Sequence, residues 1–248
     1  MRNCMFSGIL RVVDRKILII QNITREAPGL LSQIISEKGI KFDLVDLSRG
    51  DSLPDFSAYA ALIVLGGPSS ANDGDDKMLG ELDLIKEAVK NRIPYLGICL
   101  GLQTLVKAMG GIVRRNEVPE FTFKDPEGMP YVINLTEEGK ADLLFADLPS
   151  QIRVFHLHGE TVDLTPEMEL LATGDTCKNQ VVKIGNNAYG LQCHFELDPE
   201  MLKVWLDQDP DLKPLSREKV LKDWEDIKEE YTKTGKTLFN NFFKLAGF

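Results

Sequence analysis

The 248-residue sequence has few of the residues that mark a disulfide framework or a zinc site. It contains four cysteines and three histidines. The cysteines, at positions 4, 99, 177 and 193, show none of the paired spacings that hold a metal, and they are too few for a disulfide scaffold. We therefore expect a protein of the reducing cytoplasm.

Positive charge and long apolar runs are also scarce. Lys and Arg number 29 against 38 Asp and Glu, a formal net charge of −9. This balance disfavours nucleic acid or an anionic membrane surface as a partner. No apolar run approaches the roughly 18 residues that a membrane span needs, and residues 1–9 lack the apolar core and cleavage site of a signal peptide. We expect no nucleic-acid and no membrane partner.

What the first half of the sequence does contain is an alternation of strand and helix patterns. Lys16–Gln21 is a continuous apolar run rich in β-branched residues, typical of a strand buried on both faces. Pro28–Lys38 has helical apolar spacing and is followed by Gly39, a helix-ending residue. The same patterns predict strands at 40–47, 60–65 and 93–98 and helices at 77–91 and 102–109. This order predicts a three-layer α/β sandwich with a mostly parallel sheet.

The second half has shorter strand patterns separated by turns, which predict hairpins in a returning sheet. These strands are expected at 111–114, 129–135, 153–156, 169–173, 180–184 and 188–193. Helices are expected at 199–207, 216–232 and 236–245. We expect an N-terminal extension over 1–15, one domain over 16–205, and a helical extension over 206–248 packed on that domain.

A cysteine stands where a predicted strand turns into a predicted helix, in Gly97-Ile98-Cys99-Leu100-Gly101. A nucleophile at such a sharp turn has the arrangement of a nucleophile elbow, and the small residues at 97 and 101 allow tight folding and close approach. The start of a helix also favours a thiolate, through its dipole and its free N–H groups. Taken alone, this segment fits an inert buried cysteine equally well.

His194 and Glu196 follow the last predicted strand. Two residues apart in extended chain, they point to the same face. A carboxylate there can orient an imidazole that accepts a thiol proton. The alternative for this segment is a surface histidine that happens to lie near a glutamate.

A second glycine turn, Gly66-Gly67, ends the strand predicted at 60–65. Ligands of doubly wound sheets bind at the carboxyl ends of the strands, where both glycine-bearing turns fall. A thiol, an oriented base and main-chain N–H donors are the parts needed for acyl transfer through a thioester. The most plausible oxyanion donors are the N–H groups of Leu100 and Gly67.

Three separated motifs resemble those of the class I (triad) glutamine amidotransferases: Gly97-x-Cys99-x-Gly101-x-Gln103, Gly66-Gly67-Pro68 and Gln192-x-His194-x-Glu196. The resemblance covers about residues 16–205 and implies a flavodoxin-like fold. It implies that Cys99 is the nucleophile, His194 the base and Glu196 its partner. It further implies a glutamine site made by Gly66, Gln103 and the segment His158-Gly159-Glu160. The layout is most similar to the amidotransferase subunit or domain of GMP synthase.

The implied reaction is hydrolysis of the side-chain amide of L-glutamine to glutamate and ammonia, without a cofactor. The ammonia would pass to a partner synthase, and no synthase domain is expected within the chain. The sequence departs from the family at Phe195, where the family usually has proline between the histidine and the glutamate. We expect the Phe195 side chain to point away from the triad.

Two other functions fit the same motifs. A γ-glutamyl peptidase or hydrolase of this fold would pass through the same thioester. A non-catalytic regulatory subunit could share the scaffold, although intact Cys99, His194 and Glu196 argue against it. A neighbouring family of cysteine-elbow proteases and chaperones generally has a histidine after the cysteine, where this chain has Leu100.

A metal site is not expected. His156 and His158 alternate with apolar residues, and the sequence offers no Cys or carboxylate cluster that completes a metal set with them.

Overall fold

The computed structural model describes residues 15–248, so Cys4 and almost all of the predicted N-terminal extension lie outside the described residues. The strands are β1 (Lys16–Gln21), β2 (Lys41–Asp46), β3 (Ala61–Val64), β4 (Tyr95–Ile98), β5 (Ile112–Thr122), β6 (Val132–Leu135), β7 (Gln151–Arg153), β8 (His156–Asp163), β9 (Met168–Thr173), β10 (Val181–Ile184) and β11 (Ala188–Leu191). The α-helices are α1 (Leu30–Glu37), α2 (Asp76–Lys90), α3 (Leu100–Ala108), α4 (Glu137–Ala141), α5 (Pro199–Gln208) and α6 (Arg217–Leu245). Within the described range, no helix is long and apolar enough to cross a membrane.

Nine of these strands form one sheet, in the order β2-β1-β3-β4-β11-β10-β9-β6-β7. The five strands from β2 to β11 run parallel. The remaining pairings, from β11 to β7, are antiparallel. β5 and β8 pair separately as an antiparallel ribbon. The structure thus confirms the predicted α/β class, with a parallel half and a returning antiparallel half.

Helices cover both faces of the sheet because its central strands are apolar on both sides. In β1, Ile17 and Ile19 lie in the core cluster formed with α1 and the C-terminal half of α6. Leu18 and Ile20 lie in the opposite cluster, formed with α2 and α3. A third cluster joins α5 to the N-terminal half of α6. This is the predicted three-layer arrangement.

Strand register brings three loops to one edge of the sheet. β4 lies between β3 and β11, with Val64 opposite Gly97 and Leu191 opposite Ile98. The chain therefore leaves all three strands at the same level. The loops that begin there carry Gly66-Gly67, Cys99 and the segment 192–196.

Four predicted elements, two strands and two helices, are wrong in extent. The strand predicted at 153–156 is a crossing between two sheets: β7 ends at Arg153, and β8 begins at His156 in the separate ribbon. The strand predicted at 111–114 continues to Thr122 because it pairs with β8. The helices predicted at 216–232 and 236–245 are one continuous helix, α6.

Candidate active site

Cys99 occupies a strained position between β4 and α3. Its φ is +52° and its ψ is −103°, a region that non-glycine residues seldom adopt. Its N–H donates to the Leu191 carbonyl at 2.7 Å. The tightness of the turn also requires Gly101, where a Cβ would lie 2.2 Å from the Val64 carbonyl oxygen. The predicted elbow geometry is therefore present at Cys99.

His194 and Glu196 are joined by a short hydrogen bond. The distance from His194 Nδ1 to Glu196 Oε1 is 2.6 Å, and Glu196 Oε2 accepts from the Phe195 N–H at 3.0 Å. Since an ionised carboxylate only accepts, Nδ1 carries a proton. Nε2 remains, buried and free to interact with the Cys99 thiol. The Phe195 ring stacks with Tyr231 of α6.

The pKa values of Cys99 and His194 are coupled by their proximity. Burial raises the pKa of the Cys99 thiol, and His194 partly offsets this through a hydrogen bond and its charge. Burial alone would lower the pKa of His194, but the charge of Glu196 and hydrogen bonds to Cys99 and Glu196 raise it well above its ordinary value. The imidazole can therefore hold a proton that the thiol gives up.

Two C-terminal helices fix the position of His194. The indole ring of Trp205, in α5, makes an edge contact with the imidazole at a centroid distance of 5.0 Å. The Tyr231 hydroxyl, in α6, donates to the His194 carbonyl at 2.8 Å. Both contacts are buried, so the ring has little freedom to turn.

The two residues expected to stabilise an oxyanion are neighbours. Leu100 is the first residue of α3, where N–H groups have no acceptor within the helix. A Cβ on Gly67 would lie 3.3 Å from Leu100 Cδ2. The loop after β3 and the start of α3 therefore face each other beside Cys99.

The residues expected to bind glutamine meet around the main chain of Glu160. The Gln103 amide donates to the Glu160 carbonyl at 3.3 Å, and His158 Nδ1 donates to the same oxygen at 3.0 Å. The Ser70 hydroxyl lies 2.9 Å from the Glu160 carboxylate. These residues line a cavity of about 610 Å³ that Cys99, Gly67 and Gly159 also line. Gly66 lies beside it, against Glu26 and His194.

Comparison with known proteins identifies the family. The family model described as "Glutamine amidotransferase class-I" matches residues 28–205, well over half of the chain. The chain belongs to the class I glutamine amidotransferases.

Individual relatives agree with that assignment. The chain is 30% identical over 184 residues to the putative glutamine amidotransferase-like protein YfeJ of Salmonella typhimurium, a match covering 72% of this chain and 74% of that protein. It is 34% identical over 141 residues to a glutamine-hydrolysing GMP synthase subunit from Pyrococcus abyssi, covering 56% of this chain and 66% of the relative.

Solved structures also resemble this amidotransferase over nearly its whole length. A crystal structure of a glutamine amidotransferase from Thermotoga maritima has a TM-score of 0.81 and 27% identity, covering 92% of this chain and 98% of that one. The crystal structure of a glutamine amidotransferase from Methylobacillus flagellatus has a TM-score of 0.83 and 25% identity, covering 93% of this chain and 95% of that one.

Sequence reasoning missed several groups at the site of this amidotransferase. The Gln192 amide lies 3.7 Å from Cys99 Sγ, although only its place in a motif was noted. Arg25 and Glu26, from one loop, and Asp209, from a loop far away in sequence, also line the cavity. The one signal for Glu26 was its place in the loop that follows β1, since that loop leaves the carboxyl end of a parallel strand.

The expectation that no carboxylate accompanies His156 and His158 is wrong. Glu120, opposite His158 in the β5–β8 ribbon, lies 3.0 Å from His158 Nε2 and 3.8 Å from His156 Nε2. The three side chains are buried, and their possible ligand atoms lie within 4.8 Å of one another, so they could hold a metal ion. Glu120 Oε2 also accepts from the Gln180 amide at 3.1 Å.

Proposed function

We propose that this amidotransferase hydrolyses the side-chain amide of L-glutamine through a thioester on Cys99. The observation that carries the proposal is the thiol on a strained turn beside an imidazole that a buried carboxylate orients. This constellation opens into a cavity lined by amide and main-chain groups suited to an amino acid. The reaction needs no cofactor.

In the first half-reaction, Cys99 gives its proton to His194 Nε2 and its sulfur attacks the amide carbon. The N–H groups of Gly67 and Leu100 bind the resulting oxyanion; losing one such donor typically costs about 10²–10³ in rate. His194 then gives the proton to the leaving nitrogen, and the C–N bond breaks to release ammonia. Glu196 keeps Nδ1 protonated throughout, so Nε2 is the atom that exchanges the proton.

In the second half-reaction, water attacks the γ-glutamyl thioester. His194 Nε2 accepts a proton from the water, and the same oxyanion donors act again. The C–S bond breaks, the proton returns to the sulfur, and glutamate leaves. Gln103 and the segment 158–160 hold the α-amino and α-carboxyl groups of the substrate in both steps.

We propose further that the ammonia passes to a partner synthase in the cytoplasm. Support comes from relatives such as the Pyrococcus abyssi protein, whose name describes one subunit of a glutamine-hydrolysing GMP synthase. The site around Cys99 accounts for the release of ammonia and not for the reaction that consumes it.

A second candidate, hydrolysis of other γ-glutamyl bonds, is favoured by one observation. The cavity, at about 610 Å³, falls in the size range of pockets for ligands larger than a single amino acid. Arg25, Asp209 and Asp211 line part of it, and a γ-glutamyl peptide could extend toward them.

Rates with two substrates separate these candidates. Glutamate release would be measured from glutamine and from a γ-glutamyl dipeptide, with the native protein, a Cys99→Ala variant and a matched Cys177→Ala variant. We expect turnover of glutamine that disappears only in Cys99→Ala. Turnover of the dipeptide alone would replace the glutaminase proposal with the peptidase one.

A further inference from the structure

Glu26 is a second carboxylate beside the proposed base, and the reaction described above does not use it. It is only 5% exposed, and it lines the same cavity as Cys99. A Cβ on Gly66 would lie 2.2 Å from Glu26 Oε2 and 3.3 Å from His194 Cε1. The carboxylate and the imidazole therefore lie against the same small residue, and any larger side chain at position 66 would displace one of them.

The loop that carries Glu26 is held in place from several sides. The neighbouring Arg25 makes a largely buried ion pair with Asp209 at 2.8 Å. The Trp205 indole donates to the Arg25 carbonyl at 2.8 Å. Further along, the Leu30 N–H donates to the Glu196 carbonyl at 2.8 Å. The position of the Glu26 carboxylate is thus fixed relative to the triad.

Among residues 15–248, no side chain or main-chain N–H donates a hydrogen bond to the Glu26 carboxylate. Burial raises the pKa of Glu26 to about 7; the charges of His194 and Arg25 act in the opposite direction, while those of Glu196 and Asp209 add to the rise. Glu26 lines the cavity, so a bound ligand with N–H groups would supply the hydrogen-bond donor that the described residues do not.

The substrate brings such N–H groups to this place. The leaving nitrogen must lie beside His194, which protonates it, while the amide oxygen faces the N–H groups of Gly67 and Leu100. Building on the proposed function, we propose that Glu26 accepts a hydrogen bond from the side-chain amide nitrogen of bound glutamine. It thereby selects glutamine over γ-esters and over the product glutamate.

The selection follows from what each ligand offers at that nitrogen. Glutamine donates to Glu26, an ester has no hydrogen to donate, and the γ-carboxylate of glutamate is repelled. A site built to accept a hydrogen bond discriminates strongly against ligands that lack the donor. Repulsion of the product carboxylate also favours its release.

The first experiment compares amide and ester hydrolysis at pH 8, where Glu26 is largely ionised. Native protein, Glu26→Gln and a matched Glu200→Gln variant, which changes an exposed carboxylate outside the cavity, would be assayed on glutamine and on the γ-methyl ester of glutamate. We expect Glu26→Gln to lower kcat/KM for glutamine on the order of 10-fold, because the neutral amide oxygen accepts a weaker hydrogen bond than the carboxylate does. The ester rate should change less than about 3-fold, and Glu200→Gln should leave the amide-to-ester ratio unchanged. Equal losses on both substrates, or no loss on glutamine, would overturn the proposal.

A binding measurement applies if the protein turns over no glutamine alone. A diazoketone analogue of glutamine, which has no amide N–H, would label Cys99, and glutamine or glutamate would compete. We expect glutamine to protect at a lower concentration than glutamate, and Glu26→Gln to reduce that preference on the order of 10-fold. An unchanged preference with intact labelling would refute the role of Glu26 and leave the proposed function standing. Absence of labelling in the native protein would refute both.

Discussion

Glu196 is the residue that makes His194 different from an ordinary buried histidine. Its carboxylate raises the pKa of His194 and fixes the proton on Nδ1. In Glu196→Gln that charge is lost, so the pKa of His194 should fall. We expect glutamine hydrolysis to drop about 10²–10⁴-fold, as in other triads that lose the orienting carboxylate. Because the rate rises as His194 loses its proton, the acid limb of the pH profile should also move to lower pH.

The measurement is kcat/KM for glutamine between pH 5 and 9. Glu200→Gln, which removes an exposed carboxylate on α5, is the matched control and should leave the limb in place. If the acid limb of the pH profile lay at the same pH in Glu196→Gln and in the native protein, Glu196 would not set the pKa of His194.

Glu81 makes stability depend on pH. It is fully buried in α2, and burial raises its pKa to about 7, although the neighbouring Asn22, Lys77 and Thr104 oppose the rise. The unfolded chain releases this proton near pH 4.5, so the contribution of Glu81 to stability is complete below that pH and is lost as the pH rises to about 7. Glu81→Gln should remove this loss, which in the native protein amounts to as much as about 3 kcal/mol of the free energy of unfolding at pH 8.

Urea unfolding at pH 5 and pH 8 would check this. The native protein should lose more free energy of unfolding between the two pH values than Glu81→Gln does. Glu87→Gln, on the exposed side of the same helix, should behave like the native protein. The same pH dependence in all three proteins would contradict the assignment.

At the scale of residues, the sequence predicted positions that local motifs define and missed those that only folding brings together. Cys99, His194 and Glu196 stand in short patterns whose spacing has a chemical reason. Glu26 lies in Arg-Glu-Ala, a segment with nothing local to distinguish it from a surface loop. Glu120 was missed for a similar reason, since only the pairing of β5 with β8 places it beside His158.

Among the elements, α6 depends on a glycine in its interior. A Cβ on Gly235 would lie 2.5 Å from the Phe195 carbonyl oxygen and 2.9 Å from Leu30 Cδ2. Alanine normally stabilises a helix interior by roughly 1 kcal/mol relative to glycine. Here we expect Gly235→Ala to destabilise the protein by about 1–3 kcal/mol, because the helix must move away from the segment 194–196.

Gly80, in α2, is the matched position. A Cβ there would lie 3.5 Å from Leu53 Cδ1, an ordinary contact, so Gly80→Ala should be neutral or stabilising. Thermal unfolding of both variants would measure the difference. A Gly235→Ala protein as stable as Gly80→Ala would show that the close contact with Phe195 is not a constraint.

The predicted element boundaries that are wrong are set in the structure by tertiary contacts. Gly235 resembles a helix end when only local propensity is considered, but close packing against Phe195 requires it inside α6. The segment 153–156 is predicted as one strand. It is divided because Val154 bonds to the Tyr131 carbonyl and Phe155 bridges to His194, which carries the chain from one sheet to the other.

At the scale of the molecule, the alternation of patterns predicted the parallel half of the sheet and the edge where the site lies. It could not predict how residues 206–248 relate to that edge, because their contacts are long-range. Asp209 pairs with Arg25, and Tyr231 holds the His194 carbonyl. We propose that this segment is a structural part of the amidotransferase domain, which supports the loops around the triad.

The central claim is that Cys99 is the nucleophile for a γ-glutamyl group, and labelling tests it without a partner protein. The native protein would be incubated with a diazoketone analogue of glutamine, digested and analysed by mass spectrometry. We predict one adduct, on Cys99, that glutamine suppresses and that Cys99→Ala lacks, while Cys177→Ala retains it. An unmodified Cys99, or equal modification of Cys177 and Cys193, would contradict the account.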